Sequence, residues 1–170
     1  MPSDPHSKQR FYWGISYAKG YFQLGMLAEA KKELAALGEL YQEDLEVLSL
    51  EGLILLARRR WARTITHCIK AVQKYPNVPD FYIQAAYAYD KLDLPHEARE
   101  VWVQAPEEVQ TTPIYHYNIA RCEIRLGNIT QAREHLRTAL DMAPEMEDSI
   151  LKDPRFQNLF TLPEELSDNQ

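Results

Sequence analysis

A chain of 170 residues that is 45% hydrophobic can bury a continuous core, which excludes disorder for most of its length. Its formal net charge of -6 opposes phosphate polyanions and anionic membranes, and no run of eighteen apolar residues occurs, so no membrane role is expected and the expected location is the cytoplasm. Cys68 and Cys122 lie within helical patterns with no cysteine nearby and read as small buried hydrophobes of a reducing compartment, not as a disulfide.

In chain order, residues 1–10 form a polar lead-in. An aromatic helix carrying Phe11, Tyr12, Trp13 and Tyr17 follows, breaks at Gly25 and gives way to a second helix with Ala30 and Leu34. From Leu45 a second pair is expected, its elbow formed by Arg58, Arg59 and Arg60, with Trp61 opening the next helix and Pro76 closing the pair. Pro79 opens a third pair whose second helix should be short, because Pro106 follows Trp102 closely.

The fourth pair has the fullest set of signals. Thr112 can cap a helix opened by Pro113, and Ile114, Tyr117, Ile119, Ile124 and Leu126 carry it to the Gly127-Asn128 break. Ala132, Leu136, Ala139 and Leu140 then mark the buried stripe of a second helix that stops at Pro144. Beyond it, Asp153-Pro154 resembles a helix start, and Phe156, Leu159 and Phe160 supply an apolar stripe.

These pairs repeat. Windows beginning at Phe11, Leu45, Pro79 and Pro113, each 34 residues after the last, align without a gap. The eighth place holds Ala18, Gly52, Ala86 and Ala120, and the twentieth holds Ala30, Thr64, Ala98 and Ala132, small residues where two helices must cross closely. Apolar residues recur at the twenty-fourth place (Leu34, Cys68, Trp102, Leu136) and at the eleventh (Tyr21, Leu55, Tyr89), where Glu123 is the exception. Arg59 stands where Gly25 and Gly127 supply the turn, so a distorted elbow is expected in the second window.

With these places filled, the chain resembles the tetratricopeptide-repeat family over about 136 residues, four times 34. The resemblance implies an all-α fold, a right-handed α-solenoid of four helix-turn-helix repeats at 11–44, 45–78, 79–112 and 113–146, with a C-terminal capping helix at 147–162 and a polar tail at 163–170. It also implies a protein-protein interaction module, an adaptor, scaffold or chaperone-like subunit, which is not an enzyme and needs no cofactor. In such proteins the first helices line a concave groove. Carried over place by place, the groove would hold Tyr12, Ile15, Lys19 and Phe22, then Leu53 and Leu56 with Glu46 and Ser49, then Ile83 and Tyr87 with Asp80 and Asp90, and finally Tyr117, Arg121 and Ile124 with Ile114. Asn118 and Arg125 lie close by on the same helix; Asn118 is open between binding a ligand's backbone and capping a neighbouring carbonyl.

Such a lining suits a partner's helix or extended peptide with apolar anchors. The first repeat has Ile15 and Lys19 in places where family members that clamp an acidic chaperone tail carry lysine and asparagine, so that activity is not expected. A homo-oligomer assembling through the aromatic first helix and the solenoid edges is the alternative. Arg58, Arg59, Arg60 and Arg63 around Trp61 superficially suit RNA, but their place at an elbow favours a solvated ridge, and nucleic-acid binding is disfavoured. No convincing set of histidines, cysteines or carboxylates has metal-ligand spacing on one face, and no nucleotide loop or nucleophile motif occurs. His67 and His135 share the twenty-third place of alternate windows, which points to a part in the scaffold.

Overall fold

A computed structural model describes residues 5–156 and Leu159, and every described element is helical. Helix α1 (Pro5–Gln23) pairs with α2 (Leu27–Ala36), and α3 (Leu45–Ala57) with α4 (Trp61–Lys74). Then α5 (Pro79–Lys91) pairs with α6 (Pro95–Val103), a four-residue helix α7 (Glu107–Gln110) intervenes, and α8 (Pro113–Leu126) pairs with α9 (Ile129–Met142). A short helix α10 (Glu147–Lys152) follows. The chain divides into two compact units, Met1–Tyr75 and Pro76–Gln170.

The elbows fix the repeat. Gly25, Arg59, Asp93 and Gly127, spaced by 34, all take the left-handed conformation, with φ of 74°, 53°, 60° and 81°. Each elbow closes with the same two backbone bonds. The residue after the left-handed one donates to the carbonyl five back (Met26 to Tyr21, Arg60 to Leu55, Leu94 to Tyr89, Asn128 to Glu123; 2.9–3.1 Å). The left-handed residue itself donates to the carbonyl three back, at 2.8–3.2 Å. This is the Schellman closure of a helix end, and it uses main-chain atoms alone. The second elbow is therefore not distorted: Arg59 pays a conformational cost but makes the same turn.

The small places do what their size demands. Ala18, Ala30, Ala120 and Ala132 are fully buried, Ala98 nearly so, and Thr64 fits because its hydroxyl donates to the Arg60 carbonyl of its own helix at 3.2 Å. In the first unit Phe11, Ile15, Leu34, Val47, Leu50 and Ile54 surround these alanines; in the second, Leu136, Ile150, Phe156 and Leu159 pack on Ala120 and Ala132. Trp102 stacks on Tyr82 (centroids 5.9 Å apart) and meets Tyr115 edge-on (6.1 Å).

Local signals act as the residue types dictate, with two differences. Thr112 Oγ1 accepts from the Tyr115 amide at 3.2 Å and caps α8; α6 ends at Val103, before Pro106. Gln110 of α7 donates to the Val103 and Ala105 carbonyls left open there. The first difference is that α1 begins at Pro5, within the stretch read as a lead-in, because nothing between Ser7 and Phe11 breaks a helix. The second is that Asp153-Pro154 ends a helix where a start was expected: α10 precedes it, residues 154–156 form a turn, and Asp153 accepts from the Arg155 amide and guanidinium. Phe160 and the tail at 163–170 lie outside the described residues.

Candidate partner-binding site

In the first unit the residues assigned to a partner face separate by burial. Tyr12 is 63% exposed and Leu53 38%, whereas Ile15 is 4% exposed and belongs to the core between α1 and its neighbours. One turn of α1 carries both kinds because Ile15 lies on the stripe of Phe11 and Ala18, three or four residues away on either side. Phe22 is half-buried against the same core, and Leu56 on α3 is half-buried. Lys19 is tied to Glu46 of α3 in an exposed ion pair, so its charge is already matched.

In the second unit the assigned residues converge. A cleft of about 360 Å³, counting its open mouth, lies among α5, α6 and α8; its inner part is narrow, with room for about one water molecule. Ile83 and Tyr87 contribute from α5, Pro95, Ala98 and Trp102 from α6, Asn118, Arg121 and Arg125 from α8, and Arg155 from the turn after α10. With Asp90 of α5, six residues assigned to the groove or beside it thus line one cleft. Tyr117 and Ile124 do not line it. Both pack against the core of α8 and α9, with Tyr117 edge-on to Phe156 and its hydroxyl donating to Asp153 Oδ2 at 2.8 Å.

Charge in the cleft is arranged unevenly. Arg125 pairs with Asp93 (2.6 Å) and Asp90 (3.5 Å), and Arg155 with Asp153 (2.6 Å). Arg121 has no carboxylate among these bonds: Nη1 donates to Asn118 Oδ1 at 2.9 Å and the guanidinium lies 5.9 Å from the Tyr117 ring centre. Burial, reinforced by the nearby Arg155, lowers the Arg121 pKa. Asn118 is 7% exposed, its amide nitrogen donating to the Ile114 carbonyl at 2.9 Å, so it is occupied within α8 and caps a carbonyl of its own helix.

Two buried polar groups escaped sequence reasoning. Glu123, at an apolar place, is 1% exposed and accepts from Arg99 of α6 and, at 2.7 Å, from Asn128. Burial pushes its pKa up, but these two donors and the arginine's charge more than compensate and hold it below the ordinary value. The second is Trp102 Nε1, which together with Arg121 Nε is buried without an acceptor among the described residues. The eleventh-place anomaly at Glu123 was the signal for the first; nothing in the sequence marks the second.

The histidines of the twenty-third place serve the scaffold: His67 bonds the Leu48 carbonyl (2.7 Å) and His135 meets His116 at 3.0 Å through their Nδ1 atoms, in each case reaching the first helix of the same repeat. Burial lowers the pKa of His116 and His135. Among the described residues no three His, Cys, Asp or Glu side chains could hold a metal, and both cysteines are free and buried, with burial pushing Cys68 up to about 12 and Cys122 up to about 11. Arg58, Arg59, Arg60 and Arg63 are exposed around a half-buried Trp61. No helix among the described residues is long and apolar enough to cross a membrane.

The sequence model of the tetratricopeptide repeat matches residues 114–146. No curated protein matches the chain by sequence. Among solved structures, a thermophilic TPR protein of Thermus thermophilus superimposes with a TM-score of 0.70 at 18% identity, over 95% of this chain and 84% of that one. The MamA RS-1 ArsTM double mutant gives 0.65 at 17%, over 93% and 92%, and MamA MSR-1 C2 gives 0.61 at 16%, over 84% and 99%. Residues 114–146 thus match a tetratricopeptide repeat, and over most of its length the chain shares the helical fold of these solved structures.

Proposed function

We propose that the protein is an adaptor without catalytic activity of its own, holding a segment of a partner protein against the first helices of its repeats. The observation that carries this reading is the cleft in the second unit, where Ile83, Tyr87, Asn118, Arg121 and Arg125 supply apolar, aromatic and cationic groups together. In the first unit, by itself, Tyr12 of α1 and Leu53 of α3 are exposed apolar or aromatic side chains. The fold is one used by protein-interaction modules, and it leaves such side chains on rigid helices.

The test is a cross-linked pull-down comparing the wild type with a Tyr87→Ala, Arg125→Glu variant and with an Arg63→Glu, Lys70→Glu control on α4, all checked for helix content. A protein retained by wild type and control but lost from the cleft variant supports the reading; equal recovery on all three removes it. A second reading, assembly of identical copies, draws on the exposed Tyr12, Trp13 and Tyr17 of α1. Mass by light scattering that rises with concentration, and falls back on Trp13→Ala, Tyr17→Ala substitution, would favour it.

A further inference from the structure

The contact between His116 of α8 and His135 of α9 tolerates one added proton but not two. Both rings are half-buried, their Nδ1 atoms lie 3.0 Å apart and their centres 5.2 Å apart, so the two nitrogens point at one another. His135 thereby reaches from the twenty-third place of its window to the fourth. His67 makes the corresponding reach in the second window but ends on a main-chain acceptor, the Leu48 carbonyl, at 2.7 Å. That difference decides how each repeat meets acid. A protonated His67 still donates to its carbonyl, and its Nδ1 lies 3.9 Å from Glu51 Oε2, which attracts the charge. Between His116 and His135 one ring must donate its Nδ1–H and the other must accept on a bare Nδ1. A first added proton can go to Nε2 of the donating ring and leave the bond in place. A second can only go to the accepting Nδ1, which sets N–H against N–H and one positive charge against another.

We propose that His116 and His135 form an acid-sensitive latch, which holds α8 to α9 while at most one of the two rings is charged and releases the last repeat when both are. The groups around the pair do not neutralise a second charge. Arg99 of α6 opposes charge on His135; Glu123 of α8 attracts it, but is already bonded by Arg99 and Asn128. Glu134 of α9 and Glu107 and Glu108 of α7 are exposed to water, and Tyr115 meets both rings edge-on. Burial opposes charge on either ring, and each folded pKa lies below the ordinary 6.5. The stability that the contact supplies is therefore whole above 6.5 and is lost as pH falls from there toward the lowered values. The latch goes beyond the partner-binding reading and does not depend on it. Since α8 carries Asn118, Arg121 and Arg125 to the cleft, freeing α8 from α9 also loosens one of the cleft's walls.

Backbone hydrogen exchange of the full chain, corrected for the intrinsic effect of pH and compared between about pH 7.5 and about pH 5.5, reads the opening of each helix. Each proton taken up on opening raises the opening constant about tenfold per pH unit below the free histidine value, so protection in α8 and α9 is expected to fall by about tenfold or more. Helices α3 and α4, where His67 ends on a carbonyl, are expected to keep theirs. His135→Gln and, reciprocally, His116→Gln put an amide in place of one ring; it can donate to a neutral histidine and accept from a charged one, and should reduce the fall to less than about threefold. A fall of the same size in wild type and variants, a fall shared by α3 and α4, or no fall in wild type overturns the proposal. If one variant does not fold, the other decides. If neither folds, ring nitrogen-15 shifts of the wild-type histidines decide: the pair should titrate in two separated steps below 6.5, and coincident titration at the ordinary value overturns the latch.

Discussion

Removing Arg99 should destabilise the second unit far more than removing its buried partner. Arg99→Ala strands the Glu123 carboxylate, 1% exposed, with Asn128 as its remaining donor. Breaking a buried pair in this way costs about 3 kcal/mol, the lower part of the usual range, because the Arg99 side chain is itself 37% exposed and partly solvated. Glu123→Leu behaves differently. It restores the apolar residue of the eleventh place, while Arg99 and the exposed Asn128 can turn to water, so the change should stay within about 1 kcal/mol of wild type.

Acid gives a second handle with a definite sign. In wild type the folded pKa of Glu123 lies below its ordinary value of 4.5, so its contribution is intact above that value and is lost as pH falls through the lowered one. In Arg99→Ala, burial loses its main counterweight and the folded pKa rises, so the penalty present at neutral pH is relieved by protonation on acidification. Urea unfolding followed by circular dichroism at neutral pH and near pH 5 should show the gap between Arg99→Ala and wild type narrowing in acid. A gap below about 1 kcal/mol at neutral pH, or one that is constant or widens in acid, would refute the assignment of Glu123 as a charge held by Arg99.

Three further outcomes follow from the geometry. Arg59→Gly should raise stability by about 0.5–1 kcal/mol by removing the left-handed penalty, and Gly127→Ala should lower it by about 1 kcal/mol; equal midpoints of urea unfolding would deny that these elbows need a left-handed residue. Ala98→Leu, at a helix crossing where the alanine is 3% exposed, should cost about 1 to 3 kcal/mol, and an unchanged melting temperature would mean that α6 does not cross its neighbour there. Burial would raise the Asp153 pKa, but bonds from Arg155 and Tyr117 bring it down to about 2. The stability it supplies is therefore present above its ordinary value of 3.8 and is lost as pH falls toward 2, a dependence that Asp153→Asn should flatten in acid unfolding curves.

The repeat was legible because its determinants are local and periodic. Small residues at the eighth and twentieth places, and breaks at intervals of 34, are properties of short windows, and the helices follow them. The second elbow looked irregular because sequence reports the side chain, whereas the turn is made by main-chain bonds that an arginine can also make. The site was less legible. Place-by-place assignment found Ile83, Tyr87, Asp90 and Arg121 of the cleft but could not separate Tyr12 from Ile15, since burial at the first helix depends on which neighbour covers each face. Trp102 counted only as an apolar residue at its place; that its indole N–H lacks an acceptor is a fact about what surrounds it. Glu123 was visible as an exception, but its partner stands 24 residues earlier, at no spacing that a helical pattern relates.

The last repeat, the one the family pattern matches, is not freely portable. Its Glu123 needs Arg99 of the preceding repeat, and its Tyr117 hydroxyl needs Asp153 of the segment that follows. Cut out and spliced into another array, residues 113–146 would carry a carboxylate and a phenol whose counterparts stayed behind. Although it is written in interchangeable units, the chain is keyed at this end so that the units go together in a single order.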